Sequence, residues 1–276
     1  MKIVFFASNK RREIHLAKSF LKGAKSHGVE VERRFTHDVP EETDYQYACM
    51  VGVKSKRLWD DMISRGVTPI MFDKGYSRQK HGIAWKYWRV SVGGHHPAKT
   101  LRLSYPLDRF LSLGFKVSDK WRPSGRQIVF AGSSAKYHNF YGMDNPTEYA
   151  RRIFRTIRRV TDRPIVYRPK PSWGGATPIP GSFFSKDGRS LASDLKGAHV
   201  VVTHGSNACF DAALMGIPSI VLGKAVMSSI SSRDIADIEN PMMGDRMPLF
   251  AALGYHQWTL DEMSSGRAFD TIKDWL

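Results

Sequence analysis

The sequence predicts an α/β protein made of two doubly wound, Rossmann-like domains that face each other across a cleft. Apolar runs of strand length alternate with helical segments, and that succession requires parallel sheets joined by right-handed crossovers. The alternation stops between residues 73 and 122 and then begins again. With 276 residues, the chain has the length of one large domain or two small ones. We therefore expect domains at 1–124 and 125–276, with a C-terminal helix that could cross back to the first domain.

Periodicity and turn residues define the elements expected in the first domain. Runs rich in β-branched and aromatic residues predict strands, whereas Gly28 and Gly66 follow the helical segments that they end. Pro40 is expected to break the chain between two strands. In order, the predicted elements are a strand at 2–7, a helix at 10–27, strands at 29–35 and 45–53, a helix at 54–65 and a strand at 68–72.

The same reasoning defines the second domain. Pro146 lies where the first turn of a helix favours proline, and Gly216 lies where a helix ends. In order, we expect a strand at 127–131, a loop at 132–145, a helix at 147–160, a strand at 164–168, a long loop at 169–188, a helix at 190–196, a strand at 200–203, a helix at 206–215, a strand at 218–222 and one or two terminal helices over 249–254 and 258–264.

Several classes of protein are disfavoured by what the sequence lacks. No run of eighteen apolar residues occurs, so we expect no membrane span, and the N-terminal segment is expected to be a strand rather than a signal peptide. Cys49 and Cys209 are too far apart to form a disulfide framework or a zinc site, which indicates a cytoplasmic protein. The chain has no P-loop, no G-x-G-x-x-G after its first strand and no H-E-x-x-H. We therefore expect neither a bound cofactor nor a metal.

Positive charge is the first indication of a partner. The chain has 42 Lys and Arg against 26 Asp and Glu, a net charge of +16. Residues 1–124 carry 24 basic and 12 acidic groups, whereas residues 125–276 carry 18 and 14. This excess in the first half favours a polyanionic partner, and nucleic acid, an anionic membrane surface and an acidic glycan all remain open.

The strongest local motif follows a buried strand of the second domain. There His204, Gly205, Ser206 and Asn207 precede a predicted helix; Gly205 allows the turn without a Cβ clash, and the next two are favourable N-cap residues. Free N–H groups and the positive end of the helix dipole suit a diphosphate. We expect a phosphate site here, with Asp211 reaching a ribose hydroxyl or facing solvent. The alternative is that His204 and Ser206 only cap the helix.

Two further strand ends point to the same edge of the predicted sheet. The strand at 127–131 leads into Ser133 and Ser134, with Lys136 close behind, and another strand ends on Arg168 and Lys170 between prolines. Hydroxyls and cations at neighbouring strand ends are what an anionic nucleotide requires. Alone, a Gly-Ser-Ser loop is usually a turn and Arg168 is usually a salt-bridge partner.

The second half resembles the nucleotide-binding domain of GT-B-fold glycosyltransferases, including capsule-type sugar transferases. The residues that carry this resemblance are RPKP at 168–171 and THGSNACFDAALMGIPSIVLG at 203–223. The resemblance implies a metal-independent transferase that takes a nucleotide-sugar as its substrate. It also implies that the donor diphosphate is held by the strand-end residues described above.

The whole chain is similar to phage and prophage proteins described as glycosyltransferases, in FDKGY at 72–76, KYWRVS at 86–91 and LGYHQWTLDEM at 253–263. Related phage enzymes glycosylate hydroxymethylated bases of DNA, which would also account for the charge. The resemblance therefore implies double-stranded DNA bearing hydroxymethylated pyrimidines as the acceptor. Two alternatives stay open: a transferase for a surface glycan or a lipid-linked acceptor, and a non-catalytic protein that binds nucleotide or DNA.

A general base is expected in the first domain. Asp73 follows the predicted fourth strand and could take a proton from an acceptor hydroxyl; alternatively it is an Asx-turn carboxylate paired to Lys74 or Arg78. His95 and His96, in GGHHP, are a second candidate, and as a metal site the pair lacks a third ligand.

Basic and aromatic residues alternate in the first domain, as in many nucleic-acid-binding surfaces. Trp85, Tyr87 and Trp88 could stack on bases or could belong to the core. The residues predicted to contact an acceptor or DNA are Lys10, Arg11, Arg12, Lys54, Lys56, Arg57, Lys74, Tyr76, Arg78 and Arg89. The arginines of the helix at 147–160 are expected to form a solvated face that could extend such a surface. Near the C-terminus, Gln257 and Glu262 could contact the sugar, although packing of the last helix is the simpler role.

Overall fold

A computed structural model describes residues 1–38, 42–81, 84–96, 99–185 and 188–276 of the chain. The expected break at Pro40 and the proline that ends GGHHP lie outside the described residues. The chain forms two compact units. Unit 1 comprises Met1–Leu113 and Phe250–Leu276, and unit 2 comprises Gly114–Leu249. The sequence placed the boundary at 124/125 and assigned the last segment to the second domain, with a C-terminal helix that could cross back to the first.

The first part of unit 1 follows the predicted order of strands and helices. Its elements are β1 (Lys2–Ala7), α1 (Arg11–Lys25), β2 (Glu30–Phe35), β3 (Tyr47–Val51), α2 (Lys56–Ser64), β4 (Thr68–Lys74), β5 (Lys80–His81), β6 (Ala84–Trp85), β7 (Trp88–Val92) and α3 (Asp108–Ser112). Strands β1 to β4 pair in parallel, as expected. β7 pairs with β4 in the antiparallel direction, so the sheet is mixed. The connection between β4 and β7 contains the antiparallel pair β5–β6 and, in its described residues, no helix, whereas a parallel return usually runs through a crossover helix.

Unit 2 contains a fully parallel sheet with the strand order β10-β9-β8-β11-β12. Its elements are β8 (Gln127–Ala131), α4 (Ala135–Phe140), α5 (Pro146–Ile157), β9 (Ile165–Arg168), β10 (Ser182–Phe184), α6 (Leu191–Leu195), β11 (Ala198–Thr203), α7 (Ala208–Leu214) and β12 (Ser219–Val221). The expected loop at 132–145 contains helix α4, because the Ser134 hydroxyl caps its first turn and the helix buries Tyr137 and Phe140. Strand β10 likewise lies within the expected loop at 169–188.

The C-terminal segment completes unit 1. It contains α8 (Met247–Tyr255), β13 (Gln257–Trp258), α9 (Leu260–Ser264) and α10 (Arg267–Ile272). β13 pairs with β7 and so becomes the edge strand of the first sheet. Trp258, Met263 and Phe269 are almost fully buried in the same core as Phe20 of α1. The burial of these side chains is the reason that the segment belongs to unit 1.

No described helix is both long enough and apolar enough to span a membrane.

Candidate functional site

Three loops of unit 2 meet at the carboxyl edge of its parallel sheet. β8, β9 and β11 are neighbours, and they end at Ala131, Arg168 and Thr203. The Gly132 N–H donates to the Arg168 carbonyl at 2.9 Å, and the Thr203 hydroxyl donates to the Ala131 carbonyl at 2.8 Å. The strand ends that the sequence singled out therefore lie side by side, at the edge where open α/β sheets bind ligands.

The turn at 204–207 is built differently from the expected helix cap. Helix α7 begins at Ala208, and Asn207, its N-cap residue, makes no side-chain capping hydrogen bond. The Ser206 N–H instead donates to the Thr203 hydroxyl at 3.0 Å, and the Ala208 N–H donates to the Ser206 hydroxyl at 3.3 Å. The side chain of Thr203, which the sequence analysis overlooked, thus organises the turn.

His204 contributes a neutral ring. Its Nδ1 lies 2.8 Å from the Tyr149 hydroxyl. Burial, together with the charges of His138 and Arg233, lowers the pKa of His204 to about 4. At neutral pH the ring can therefore exchange hydrogen bonds with a ligand but cannot neutralise a phosphate.

Gly205 is required because there is no room for a side chain, not because of a left-handed backbone. A Cβ at this position would lie 2.6 Å from the Tyr137 hydroxyl oxygen and 2.8 Å from the Lys224 carbonyl oxygen. The φ angle of Gly205 is not positive. The predicted reason, avoidance of a Cβ clash, agrees with this packing.

Arg168 is committed to an ion pair. Its Nη1 lies 2.6 Å from Oδ2 of Asp194, a carboxylate with no solvent exposure, and 2.9 Å from the Arg189 carbonyl oxygen. The Ser185 hydroxyl donates to the same Asp194 oxygen at 2.7 Å, and Arg189 Nε lies 2.6 Å from Oδ1. Arg168 therefore positions the loop instead of presenting a free charge to a diphosphate. Asp194 was missed because nothing in the spacing of an isolated aspartate indicates it.

A pocket of about 520 Å³ opens beside this ion pair. Its walls include Lys170, Trp173, Phe184 and Arg189. The Trp173 indole is held by a hydrogen bond of 3.1 Å to the Thr147 hydroxyl. Two aromatic rings and two cations around a pocket of this size suit a nucleotide, with rings for the base and cations for the phosphates. Of these four residues the sequence analysis named only Lys170.

The remaining donor candidates lie at the same edge in different environments. Ser133 is buried, and the Ser134 hydroxyl accepts from the Tyr137 N–H as the cap of α4. Lys136 is exposed, and Asp211 is half-buried in the first turn of α7. Ser134 is thus a structural cap, while Lys136 remains available to an anion.

Unit 1 contains a polar cluster around Asp73. Asp73 lies within β4, directly opposite Arg89 of β7. Arg89 Nη2 donates to Asp73 Oδ2 at 3.3 Å and to His95 Nε2 at 2.7 Å, and only 2% of the Arg89 residue is exposed. The partner of the Asp73 side chain is thus Arg89, although its Oδ1 also accepts from the Lys74 N–H at 2.8 Å. Arg89 is buried, so its predicted role as a DNA contact is wrong.

The hydrogen bonds of this cluster define the state of each group. A guanidinium can only donate, so His95 Nε2 accepts from Arg89, and the His95 ring carries its proton on Nδ1, 3.2 Å from His96 Nε2. Burial and the Arg89 charge lower the pKa of His95, in agreement with a neutral ring. Burial would raise the pKa of Asp73, but the charge of Arg89 and the hydrogen bond from the Lys74 N–H hold that pKa below its usual range. Asp73 is therefore a carboxylate at neutral pH, and 41% of its side chain is exposed.

The expected basic rim of unit 1 is only partly present. Lys54 forms an ion pair with the buried Glu13, and Lys56 pairs with Asp60 at 2.6 Å. Tyr76 is buried, so this ring does not lie on a surface. The exposed rim residues outside these two ion pairs are Lys10, Arg11, Arg12, Arg57, Lys74 and Arg78.

The aromatic residues interleaved with this rim mostly belong to the core. Tyr87 and Trp88 are buried, in line with the second interpretation offered by the sequence. Trp85 is half-buried, and its ring lies 5.0 Å from the Lys74 ammonium. No stacking platform for bases follows from these residues.

The folded units also remove the charge asymmetry between the halves of the sequence. Unit 1 has 23 basic and 15 acidic residues, and unit 2 has 19 and 11, so each carries a net charge of +8. Two segments account equally for the difference: 250–276, with a net charge of −2, belongs to unit 1, and 114–124, with a net charge of +2, belongs to unit 2. Charge alone therefore does not single out unit 1 as the acceptor side.

Across the described parts of the chain, no three His, Cys, Asp or Glu residues are grouped so that they could hold a metal ion. His95 contacts both His96 and Arg89, an arrangement that a cation would not favour.

The fold is similar to two solved structures of KpsC from Thermosulfurimonas dismutans. The β-Kdo 2,4-transferase has 12% sequence identity and a TM-score of 0.55, with 92% of this chain and 90% of that chain covered. The β-Kdo 2,7-transferase has 12% identity and a TM-score of 0.58, with 99% of each chain covered. No known family model matches the sequence, and no curated protein matches it significantly. The likeness confirms the predicted fold class, an α/β chain of the GT-B-like type.

Proposed function

We propose that this protein is a glycosyltransferase that moves a sugar from a nucleotide-sugar donor to a polyanionic acceptor. The observation that carries the proposal is a pocket at the carboxyl edge of the unit 2 sheet, lined by aromatic and cationic side chains of the segments that follow β9 and end β10. The loops after β8 and β11 lie at the same edge. The fold shared with two structures named as Kdo transferases adds support. A nucleotide held at a sheet edge is the common requirement of such reactions.

In this proposal the pocket holds the donor. Trp173 and Phe184 pack against the base, and Lys170 faces the phosphates. Arg189 lines the same pocket and shares Asp194 with Arg168, so the two arginines and one aspartate keep one net positive charge. The Ser206 turn and Lys136 lie on neighbouring loops and extend the site. Positive charge near the leaving nucleotide stabilises the negative charge that grows on it as the sugar is transferred. These cations make the reaction possible without a metal, as the sequence predicts.

Asp73 is proposed as the general base. It is ionised, partly exposed and fixed between β4 and β7 by Arg89. A carboxylate in this state can accept the proton of an acceptor hydroxyl while the hydroxyl oxygen attacks the sugar. His96 is assigned the weaker role of positioning His95 beside Arg89.

For the acceptor, we favour a surface glycan over the DNA that the sequence indicated first. The neighbours with similar folds are named for transfer of Kdo, a sugar, and two of the basic residues expected on DNA are paired with carboxylates. Double-stranded DNA with hydroxymethylated pyrimidines is kept as a second candidate because of the net charge of +16.

Binding and turnover of a panel of nucleotide-sugars test the donor site. We expect Lys170→Ala and Trp173→Ala to weaken donor binding about tenfold or more, because each removes a direct contact. Lys196→Ala, an exposed lysine of unit 2 outside the pocket, is the matched control and should bind like wild type. Unchanged affinity of the first two variants for every donor would place the donor elsewhere.

Asp73→Asn separates an enzyme from a binding protein. The variant should keep donor binding and lose transfer, since only the base is removed. If the wild-type protein binds donors but never releases or transfers their sugar, the protein is not an enzyme of this kind. That result would support a non-catalytic nucleotide-binding protein.

Transfer assays, together with the salt dependence of DNA binding, distinguish the two acceptors. Duplex DNA should bind with an affinity that falls steeply with salt if it is the acceptor. Transfer of the sugar to an anionic glycan supports the glycan as the acceptor. In that case unmodified and hydroxymethylated DNA should both bind weakly and with the same dependence on salt. Transfer to hydroxymethylated DNA alone refutes the glycan assignment.

A further inference from the structure

A groove on unit 2 lies apart from the proposed donor site. It has a volume of about 540 Å³ and lies between α5 and the segment 179–181 that leads into β10. Ile165, at the start of β9, forms part of its floor, whereas the donor loops follow the other end of the same strand. The groove is therefore at the amino edge of the sheet and shares none of the strand-end loops.

One wall of the groove is a row of arginines. Arg151, Arg155, Arg158 and Arg159 line it, and all four are exposed. They follow one face of α5 and the turn after it, because Tyr149 and Ile157 are buried on another face and Phe154 is buried at the edge of the groove. Arginines four residues apart on a helix lie about 6 Å apart and repel each other.

The charge of this wall is largely uncompensated. Arg151 pairs with Glu148 at 2.7 Å. Glu148 is the one carboxylate in the described lining of the groove. Among the described residues, Arg155, Arg158 and Arg159 form no ion pair. Arg158 is instead fixed by backbone carbonyls, with Nη1 2.6 Å from the Arg163 oxygen and Nη2 3.0 Å from the Gly181 oxygen. By contrast, Lys54, Lys56 and Arg168 elsewhere each contact a carboxylate.

The other side of the groove is apolar. Pro180 is exposed on the opposing wall, whereas Ile179, Phe154 and Ile165 are buried beneath the surface of the groove. Phe154 is only 5% exposed, so the described lining offers no aromatic face on which a nucleic-acid base could stack. A ligand that fits must place anionic groups against one wall and apolar groups against the other.

We propose that this groove binds an extended acidic peptide segment of a partner protein. Side chains of an extended peptide alternate between its two sides, and those on one side repeat about every 6.6 Å. This repeat is close to the spacing of about 6 Å between Arg151 and Arg155, which lie one turn apart on α5. Arg159 continues the row in the turn that follows the helix. Carboxylates on one side pair with the guanidinium groups, and the intervening apolar side chains pack on Pro180.

Fluorescence anisotropy with two labelled peptides of equal composition tests the groove. One alternates glutamate and leucine, and the other carries the same residues as a glutamate block followed by a leucine block. Wild-type protein should bind the alternating peptide at least about fivefold more tightly. Only the alternating peptide can place carboxylates against the arginines and leucines against the apolar side along its whole length. Equal binding of the two peptides would overturn the proposal.

Charge reversal locates the binding site. Arg155→Glu/Arg159→Glu should reduce affinity for the alternating peptide by about tenfold or more. The milder Arg155→Gln/Arg159→Gln should show a smaller loss in the same direction. Lys18→Glu/Lys22→Glu, which makes the same change of charge at two exposed positions four residues apart on α1, should bind like wild type. An equal loss in this control would show that binding follows net charge and not the groove.

Competing polyanions complete the test. A duplex DNA, a uronic-acid polysaccharide and anionic vesicles are compared with the alternating peptide in wild type and in Arg155→Glu/Arg159→Glu. Tightest binding of the peptide, lost in the variant, supports the proposal. Tighter, variant-sensitive binding of any one of the other three assigns the groove to that class of partner instead.

Discussion

At the scale of single residues, His27 shows how two acceptors determine a protonation state. Its Nδ1 lies 2.9 Å from the Gly23 carbonyl oxygen and its Nε2 lies 2.8 Å from Asp270 Oδ1. Both partners are acceptors, so both ring nitrogens carry protons when these hydrogen bonds form. The Gly23 carbonyl first, and then Asp270, raise the pKa of His27. This imidazolium connects the end of α1 to α10.

The raised pKa of His27 predicts a pH dependence of stability. The stabilisation is complete below the unfolded value of about 6.5 and is lost as pH rises through the higher folded value. The free energy of unfolding, measured with urea from pH 5.5 to 9, should therefore fall with rising pH more in wild type than in His27→Gln. His15→Gln, an exposed histidine of the same helix, should retain the wild-type slope. A His27→Gln variant with that same slope would contradict the prediction.

Asp194 illustrates a residue whose importance depends entirely on its neighbours. Its fully buried carboxylate contacts Arg168, Arg189 and Ser185. A buried carboxylate requires such partners, since desolvation of a lone charge is costly. The arginine expected to bind donor phosphate is therefore a part of the scaffold that shapes the pocket.

At the scale of elements, tight backbone packing defines the strand-end turn of β11. Gly205 lies against Tyr137 of α4 and the Lys224 carbonyl, and Gly223 lies against His204. The loops that follow β8, β11 and β12 are consequently packed on one another. Rigid loops of this kind can hold a ligand without a large loss of conformational entropy.

Gly205→Ala should disturb both stability and donor binding. The added Cβ forces the turn away from Tyr137, which should cost about 1–3 kcal/mol in the free energy of unfolding and weaken donor affinity. Urea unfolding and donor titration measure the two effects. Gly197→Ala, whose Cβ would meet only ordinary contacts with Gln127, is the matched control. Wild-type stability of Gly205→Ala would show that the turn adapts.

At the scale of the whole molecule, the chain leaves unit 1 after Leu113 and returns to it at Phe250. The returning segment adds β13 to the edge of the first sheet and packs α9 and α10 against α1. Its carboxylate Glu262 binds Arg109 at 2.6 Å, and Gln257 accepts from the Ser77 N–H at 2.8 Å. These contacts agree with the packing role considered for Gln257 and Glu262, and unit 1 therefore depends on both ends of the chain.

Phe269→Ala tests this dependence. The side chain is 1% exposed and contacts Phe20 and His27, so its loss should cost about 3–5 kcal/mol. Hydrogen exchange should become faster in residues 1–113, in segments that are far from 269 in sequence. Residues 114–249 should exchange as in wild type. Faster exchange confined to 250–276 would contradict the division into units.

The sequence predicted features that depend on neighbouring residues better than features that depend on residues far apart in the chain. Hydrophobic periodicity correctly predicted β1 to β4, the parallel strands β8, β9, β11 and β12, and the convergence of their loops at one edge, because these depend on neighbours along the chain. The polyanionic acceptor and the nucleotide-sugar donor stay predictions.

Only the tertiary structure decided which charges are free and where the last segment belongs. Arg168 and Arg89 look like ligand-binding cations in the sequence, but each is paired with an aspartate from another element. Residues 250–276 look like the end of the second domain, yet their apolar side chains bury against α1. Ion pairs and core contacts join residues that are far apart in sequence, whereas periodicity and turn residues report only on nearby ones.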